Sequence, residues 1–248
     1  MRLNRIIMTM PVTVDIADSN ASIPDIENIF SFFEDVERRF SVFKEDSEIS
    51  KINRGEIKKD DYSYDMKEIF SICEKTREET DGFFDMRKED GILDPTGVTK
   101  SWAILKAANI LAQKGYKNFY VDIGGDIEVR GLNGDGEKWK IGIQNPFNLM
   151  EIVKTLEFSN VGVATSGTYV RGRHIYNPIE KNLPTDEIIS VTVVGRDVLE
   201  ADRFATAVFA MGKDGINFLE SREGLEGYMI DKSGRAIMTS NFNKYIYA

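Results

Sequence analysis

With one cysteine, Cys73, the chain can form no intramolecular disulfide and no cysteine-rich zinc site. Its place on the apolar face of an expected helix reads as a buried thiol. Basic surplus is also lacking. Thirty-two Lys and Arg against 41 Asp and Glu leave a formal charge of −9, which argues against general nucleic-acid binding because nothing neutralises a phosphate backbone. No apolar run approaches the roughly 20 residues of a membrane span. Residues 1–10 hold two arginines but no continuous apolar core or small-residue cleavage site. A soluble, cytoplasmic chain is therefore expected. Six prolines and no low-complexity tract argue against a long disordered linker.

What is present suffices for a packed core: 42% hydrophobic residues, with 15 Phe, 9 Tyr and 2 Trp. Residues 4–16 alternate as a strand. After Pro24, the apolar residues Ile26, Ile29, Phe30, Phe33, Val36 and Phe40 recur at helical spacing. Lys44 to Tyr64 is charged and mostly irregular. A second helix carries Met66, Ile69, Phe70 and Cys73 and stops at Asp81-Gly82; a third runs from about Thr99 to Lys114. Beyond Gly115 short β-rich runs follow one another, broken by one helix at about Glu200–Met211. Helices mainly in the N-terminal part and an antiparallel or mixed sheet mainly in the C-terminal part predict an α+β fold in one compact domain over 1–248.

Asp202 and Thr206, in A-D-R-F-A-T-A, stand four residues apart on that last helix. The spacing stacks a carboxylate and a hydroxyl on one face. Two hard oxygens side by side suit Mg2+, which keeps its other positions for water or phosphate. D-P-T-G-V-T-K places Thr99 and Lys100 in a first helical turn, either an anion site or a capped helix with a solvated lysine. I-G-G-D is either a close-approach loop or a tight hairpin, and A-T-S-G-T either lines a pocket or turns. His174, the only histidine, is either a structural or surface residue or a general base; Arg171 and Arg173 beside it disfavour the imidazolium and so favour the neutral form that a base needs. A metal-assisted phosphate site is the leading reading.

The order of these pieces resembles the ApbE family of FAD:protein FMN transferases. The resemblance begins at Met8-Thr9-Met10-Pro11 and continues through Phe40–Asn53 and T-D-G-F-F-D (Thr80–Asp85). It then takes in D-P-T-G-V-T-K, G-G-D, I-G-I-Q-N-P, A-T-S-G-T-Y, H-I-Y-N-P and A-D-R-F-A-T-A. It implies Mg2+-dependent cleavage of the FAD pyrophosphate, release of AMP, and attachment of FMN through a phosphoester to a Thr or Ser of a target flavoprotein. By motif, Asp202, Thr206 and the backbone carbonyl of Gly97 resemble the metal ligands. Met8, Phe43, Phe83, Phe84, Asp85, Asp94, Lys100 and Ile175 fall where the family contacts FAD. His174 falls where its histidine activates the acceptor hydroxyl. The chain departs from the family pattern at Thr9, Ser101, Asp122 and Thr168. Two alternatives share the same residues: a pyrophosphatase releasing FMN and AMP, and a flavin-binding protein without turnover.

Overall fold

The computed structural model describes residues 1–168, 179 and 187–247. Helix α1 (Ile23–Phe40) starts where Ser22 accepts a hydrogen bond from the Asp25 amide, and Pro24 pre-sets its first turn. The six apolar residues spaced along it are all buried, each aromatic contributing roughly 1.5–3 kcal/mol of hydrophobic stabilisation. The segment expected to be irregular contains a short helix, α2 (Glu48–Asn53), and a single 3-10 turn at Lys59–Asp61. Ser47 caps α2, and only Ile49 and Ile52 are buried, too few to set up a visible period. Helix α3 (Tyr64–Glu79) buries Met66, Ile69, Cys73 and Thr76, while α4 (Thr96–Gln113) is apolar over most of its circumference. Burial pushes the Cys73 thiol well above the ordinary thiol range.

The stretch expected as one strand over residues 4–16 is two, β1 (Arg2–Ile7) and β2 (Met10–Ile16), paired antiparallel. Met8 and Thr9 make the turn between them in the left-handed region, with φ of 54° and 61°, the conformation that a two-residue hairpin requires. Strands β3 (Phe119–Ile123), β4 (Asp126–Arg130), β7 (Val161–Gly167), β8 (Ile188–Gly195), β9 (Glu226–Asp231) and β10 (Ala236–Met238) complete an eight-stranded sheet. Its order is β1-β2-β3-β4-β7-β8-β9-β10. Every neighbouring pair is antiparallel.

Alternation sorts the strand side chains onto two faces. Phe119, Val121, Ala164, Val193 and Met229 meet the helices, including α5 (Val198–Met211) and α6 (Gly215–Glu220). Ile127, Val129, Val163, Val194 and Tyr228 face the other way, under a separate hairpin of β5 (Trp139–Asn145) and β6 (Asn148–Phe158) and the C-terminal Phe242. The result is an α+β protein in three layers: helices, antiparallel sheet, hairpin. Among the described residues no helix is long and apolar enough to cross a membrane.

Candidate functional site

The β1–β2 and β3–β4 turns lie at the same end of the sheet. Gly124 and Gly125, with φ of 61° and 93°, turn the chain from β3 into β4, and the Gly124 amide donates to the Pro11 carbonyl at 3.0 Å. Because β7 runs antiparallel to β4, its C-terminal end, Thr165 to Gly167, arrives beside Asp126. The Asp126 carboxylate is buried and accepts from the Thr165 amide at 3.2 Å. Thr165 in turn shares a 2.9 Å hydrogen bond with Thr192 of β8.

The other oxygen of Asp126 is ion-paired with Lys100, one turn into α4. Three motifs that are well separated in the sequence thus meet through two side chains. Asp122, on the preceding strand, is pushed up to about 6 by burial, against a lowering hydrogen bond from the Gly125 amide. That end of the sheet therefore concentrates carboxylate around one lysine.

Asp94 organises the start of α4. It accepts from the Thr96 amide and hydroxyl and pairs with Lys88 at 2.6 Å. Burial pulls its carboxyl upward, but the bonds from Lys88 and Thr96 hold it below the ordinary carboxylate range. Gly97 follows, and its lack of a side chain has a reason: a Cβ there would stand 2.9 Å from Cε2 of the Phe84 ring.

Phe84 is 4% exposed and packs on the helix end, whereas Phe83 and Asp85 are half-buried. Asp85 accepts from the Arg87 amide and lies within ion-pair distance of Arg77 and Arg87. Met8 is half-buried, and its amide donates to Glu37. Phe43 stands 92% exposed on the turn after α1. His174 and Ile175 lie outside the described residues.

Helix α5 packs across β7 and β8 and against α4. Asp197 caps it by accepting from the Glu200 amide, and the buried carboxylate of Glu128 accepts from the Val198 amide at 2.8 Å. Burial pushes Glu128 up to about 7, with Arg130 at 2.7 Å pulling the other way. Gly162 lets the helix start lie flat on β7; a Cβ there would fall 1.9 Å from the Val198 nitrogen. Asp202 follows one turn along and is buried, and Thr206 follows a second turn along and is half-buried.

A carboxylate, a hydroxyl and a glycine carbonyl are all hard oxygens, and that donor chemistry fits Mg2+. Among the described residues no group of three His, Cys, Asp or Glu side chains could hold a metal. The Asp202, Thr206 and Gly97 set is of a different kind, with one carboxylate only.

Three residues were not given roles from the sequence. Asp126 stood inside a quoted motif, where its glycines drew the attention. Glu128 gave no local signal. Arg203 did: a guanidinium in an otherwise apolar helical run is buried at 6% exposure and paired with Glu79.

The sequence pattern of the ApbE family matches residues 8–90 and 86–229. The chain belongs to the ApbE family. Among curated relatives, a protein of Escherichia coli K12 named FAD:protein FMN transferase is 30% identical over 159 residues, covering 60% of this chain and 45% of the relative. One of the same name from Vibrio cholerae is 32% identical over 131 residues, covering 49% of this chain and 39% of the relative. The chain thus spans less than half the length of these curated relatives.

Two solved ApbE-family structures share the fold. The flavin transferase ApbE from Vibrio cholerae superposes with a TM-score of 0.83 at 22% identity, covering 99% of this chain and 98% of that one. The ApbE protein from Thermotoga maritima gives 0.85 at 20% identity, covering 100% and 99%.

Proposed function

We propose that this ApbE-family protein is an FAD:protein FMN transferase. The observation that supports the reading is the packing of α4, with Gly97 in its first turn and Lys100 one turn along, against α5, which holds Asp202 and Thr206. Hard oxygen ligands and an ammonium carried on two packed helices suit a metal-assisted pyrophosphate reaction, in which the protein mainly positions groups and neutralises charge.

Asp202, Thr206 and the Gly97 carbonyl would hold Mg2+, whose charge offsets that of the phosphates. Lys100, fixed by Asp126, adds a second positive charge, and the α4 N-terminus adds its amides. Met8, Phe43, Phe83, Phe84, Asp85, Asp94 and Ile175 would make the remaining FAD contacts, with the exposed Phe43 and half-buried Phe83 offering their rings to the flavin. His174 takes the proton from the acceptor Thr or Ser hydroxyl of the target flavoprotein. The hydroxyl oxygen bonds to the FMN phosphorus, the pyrophosphate P–O bond to AMP breaks, and AMP leaves with the electron pair.

Incubation with FAD, Mg2+ and an acceptor polypeptide containing one threonine, followed by intact mass and nucleotide analysis, tests this. Acceptor gaining one FMN with equimolar AMP is the expected result. Release of free FMN and AMP with unmodified acceptor would make the protein a pyrophosphatase. FAD bound and unchanged would make it a flavin-binding protein.

A further inference from the structure

Arg203 follows Asp202 directly in α5, yet it points away from solvent, with its side chain only 7% exposed. Its Nη1 pairs with the Glu79 carboxylate and donates to the Thr76 hydroxyl at 3.4 Å. Glu79 is the last residue of α3, and Arg222 fixes the same point by donating to its carbonyl. The guanidinium carbons of Arg203 and Arg222 lie 4.0 and 5.6 Å from the centroid of the Phe204 ring, which holds both forks in place.

The T-D-G-F-F-D loop hangs from this anchor. Thr80, buried, donates through its hydroxyl to the Thr76 carbonyl at 2.7 Å and accepts from the Phe84 amide at 3.2 Å. The Phe84 ring then rests against Gly97 at the start of α4. Asp202 and Gly97 are thereby joined by a second route, separate from the direct packing of α4 on α5. It runs Arg203, Glu79, Thr80, Phe84.

We infer that Arg203 is a positioning residue that couples the Mg2+-bearing helix to the flavin-facing loop, so that Mg2+ and FAD each strengthen binding of the other. The inference rests on the transferase reading. A buried arginine cannot be left unpaired cheaply, so α5 and the end of α3 move together or not at all. A ligand that orders one element therefore orders the other, and the coupling is reciprocal.

FAD affinity measured by flavin fluorescence titration, with and without Mg2+ and with no acceptor present, tests the coupling in wild type, Arg203→Ala, Arg203→Lys and Glu79→Gln. Wild type should bind FAD more tightly with Mg2+. That tightening should shrink about fivefold or more in Arg203→Ala and Glu79→Gln. FAD affinity without Mg2+ should stay within about twofold of wild type.

Arg203→Lys, which keeps the charge but not the fork, should recover part of the effect. Glu79 keeps Lys75 at 3.8 Å when Arg203 is gone, and thermal unfolding reports whether each variant is folded. Should Arg203→Ala fail to fold, the lysine and glutamine variants decide. Full Mg2+ tightening in the folded variants overturns the inference alone. Equal loss of affinity with and without Mg2+ overturns it too, as the mark of a merely structural role. A wild type whose FAD binding ignores Mg2+ overturns the metal-site reading and this inference together.

Discussion

Glu128 of β4 accepts a 2.8 Å hydrogen bond from the amide of Val198, seventy residues further along the chain, with its carboxylate wholly inside the protein. A charge buried at that position is held by a helix N-terminus and by Arg130, and burial still raises its pKa to about 7.

The sign of the pH effect follows. A carboxyl whose folded pKa lies above its unfolded value contributes stability that is complete below about 4.5 and is lost as pH rises through about 7. Glu128→Gln keeps an acceptor for Val198 and cannot ionise. Its unfolding free energy should match wild type near pH 4 and exceed it above pH 8, by up to about 3 kcal/mol. Urea unfolding at both pH values checks this, and a variant less stable than wild type at pH 8 refutes it.

Gly162 tolerates no side chain. Alanine there would drive its methyl into the first peptide of α5. We expect Gly162→Ala to cost about 3 kcal/mol or more, since backbone cannot rotate aside as a side chain can. Denaturant midpoints measure it. A loss under 1 kcal/mol would mean that α5 can shift along β7.

Asp202→Ala should abolish Mg2+-dependent FAD cleavage with the fold retained. Thr206→Val, which removes a neutral oxygen, should only raise the Mg2+ concentration needed for half-maximal rate, by roughly tenfold. Initial rates of AMP release across an Mg2+ series separate the two. Full activity of Asp202→Ala would remove it from the metal site.

Lys100 serves two purposes that a pair of variants can separate. Lys100→Gln takes away the cation paired with the buried Asp126, and stability should fall by about 1–3 kcal/mol. Lys100→Gln combined with Asp126→Asn should restore most of that stability. FAD affinity should stay reduced by roughly tenfold or more in both, on the scale of one charge-assisted hydrogen bond. Recovery of FAD binding in the double variant would show that Lys100 acts only on the fold.

Much of the scaffold was legible because it is local. The α1 stripe from Ile26 to Phe40 and the β-rich runs after Gly115 carry their periods within a few turns or residues. The placing of Asp202 and Thr206 on one helix, four residues apart, was legible for the same reason. The Met8-Thr9 turn was not, since neither residue is the Gly or Asn that usually marks left-handed backbone. Nor were the ties from Lys100 to Asp126, Glu128 to Val198 and Arg203 to Glu79. Those partners meet only through strand order and helix packing, which no local period encodes.

Strand β2 lies beside β3, so residues 12 and 123 are neighbours, and more than a hundred residues of helix and turn are enclosed between them. Such non-local pairing makes for slow folding. During synthesis the first half of the sheet must wait for β3 and β4, and the proposed FAD pocket stays incomplete until α5 has emerged behind β8. A growing chain stopped before residue 198 should therefore have no affinity for FAD, and the proposed substrate site would be completed only late in synthesis.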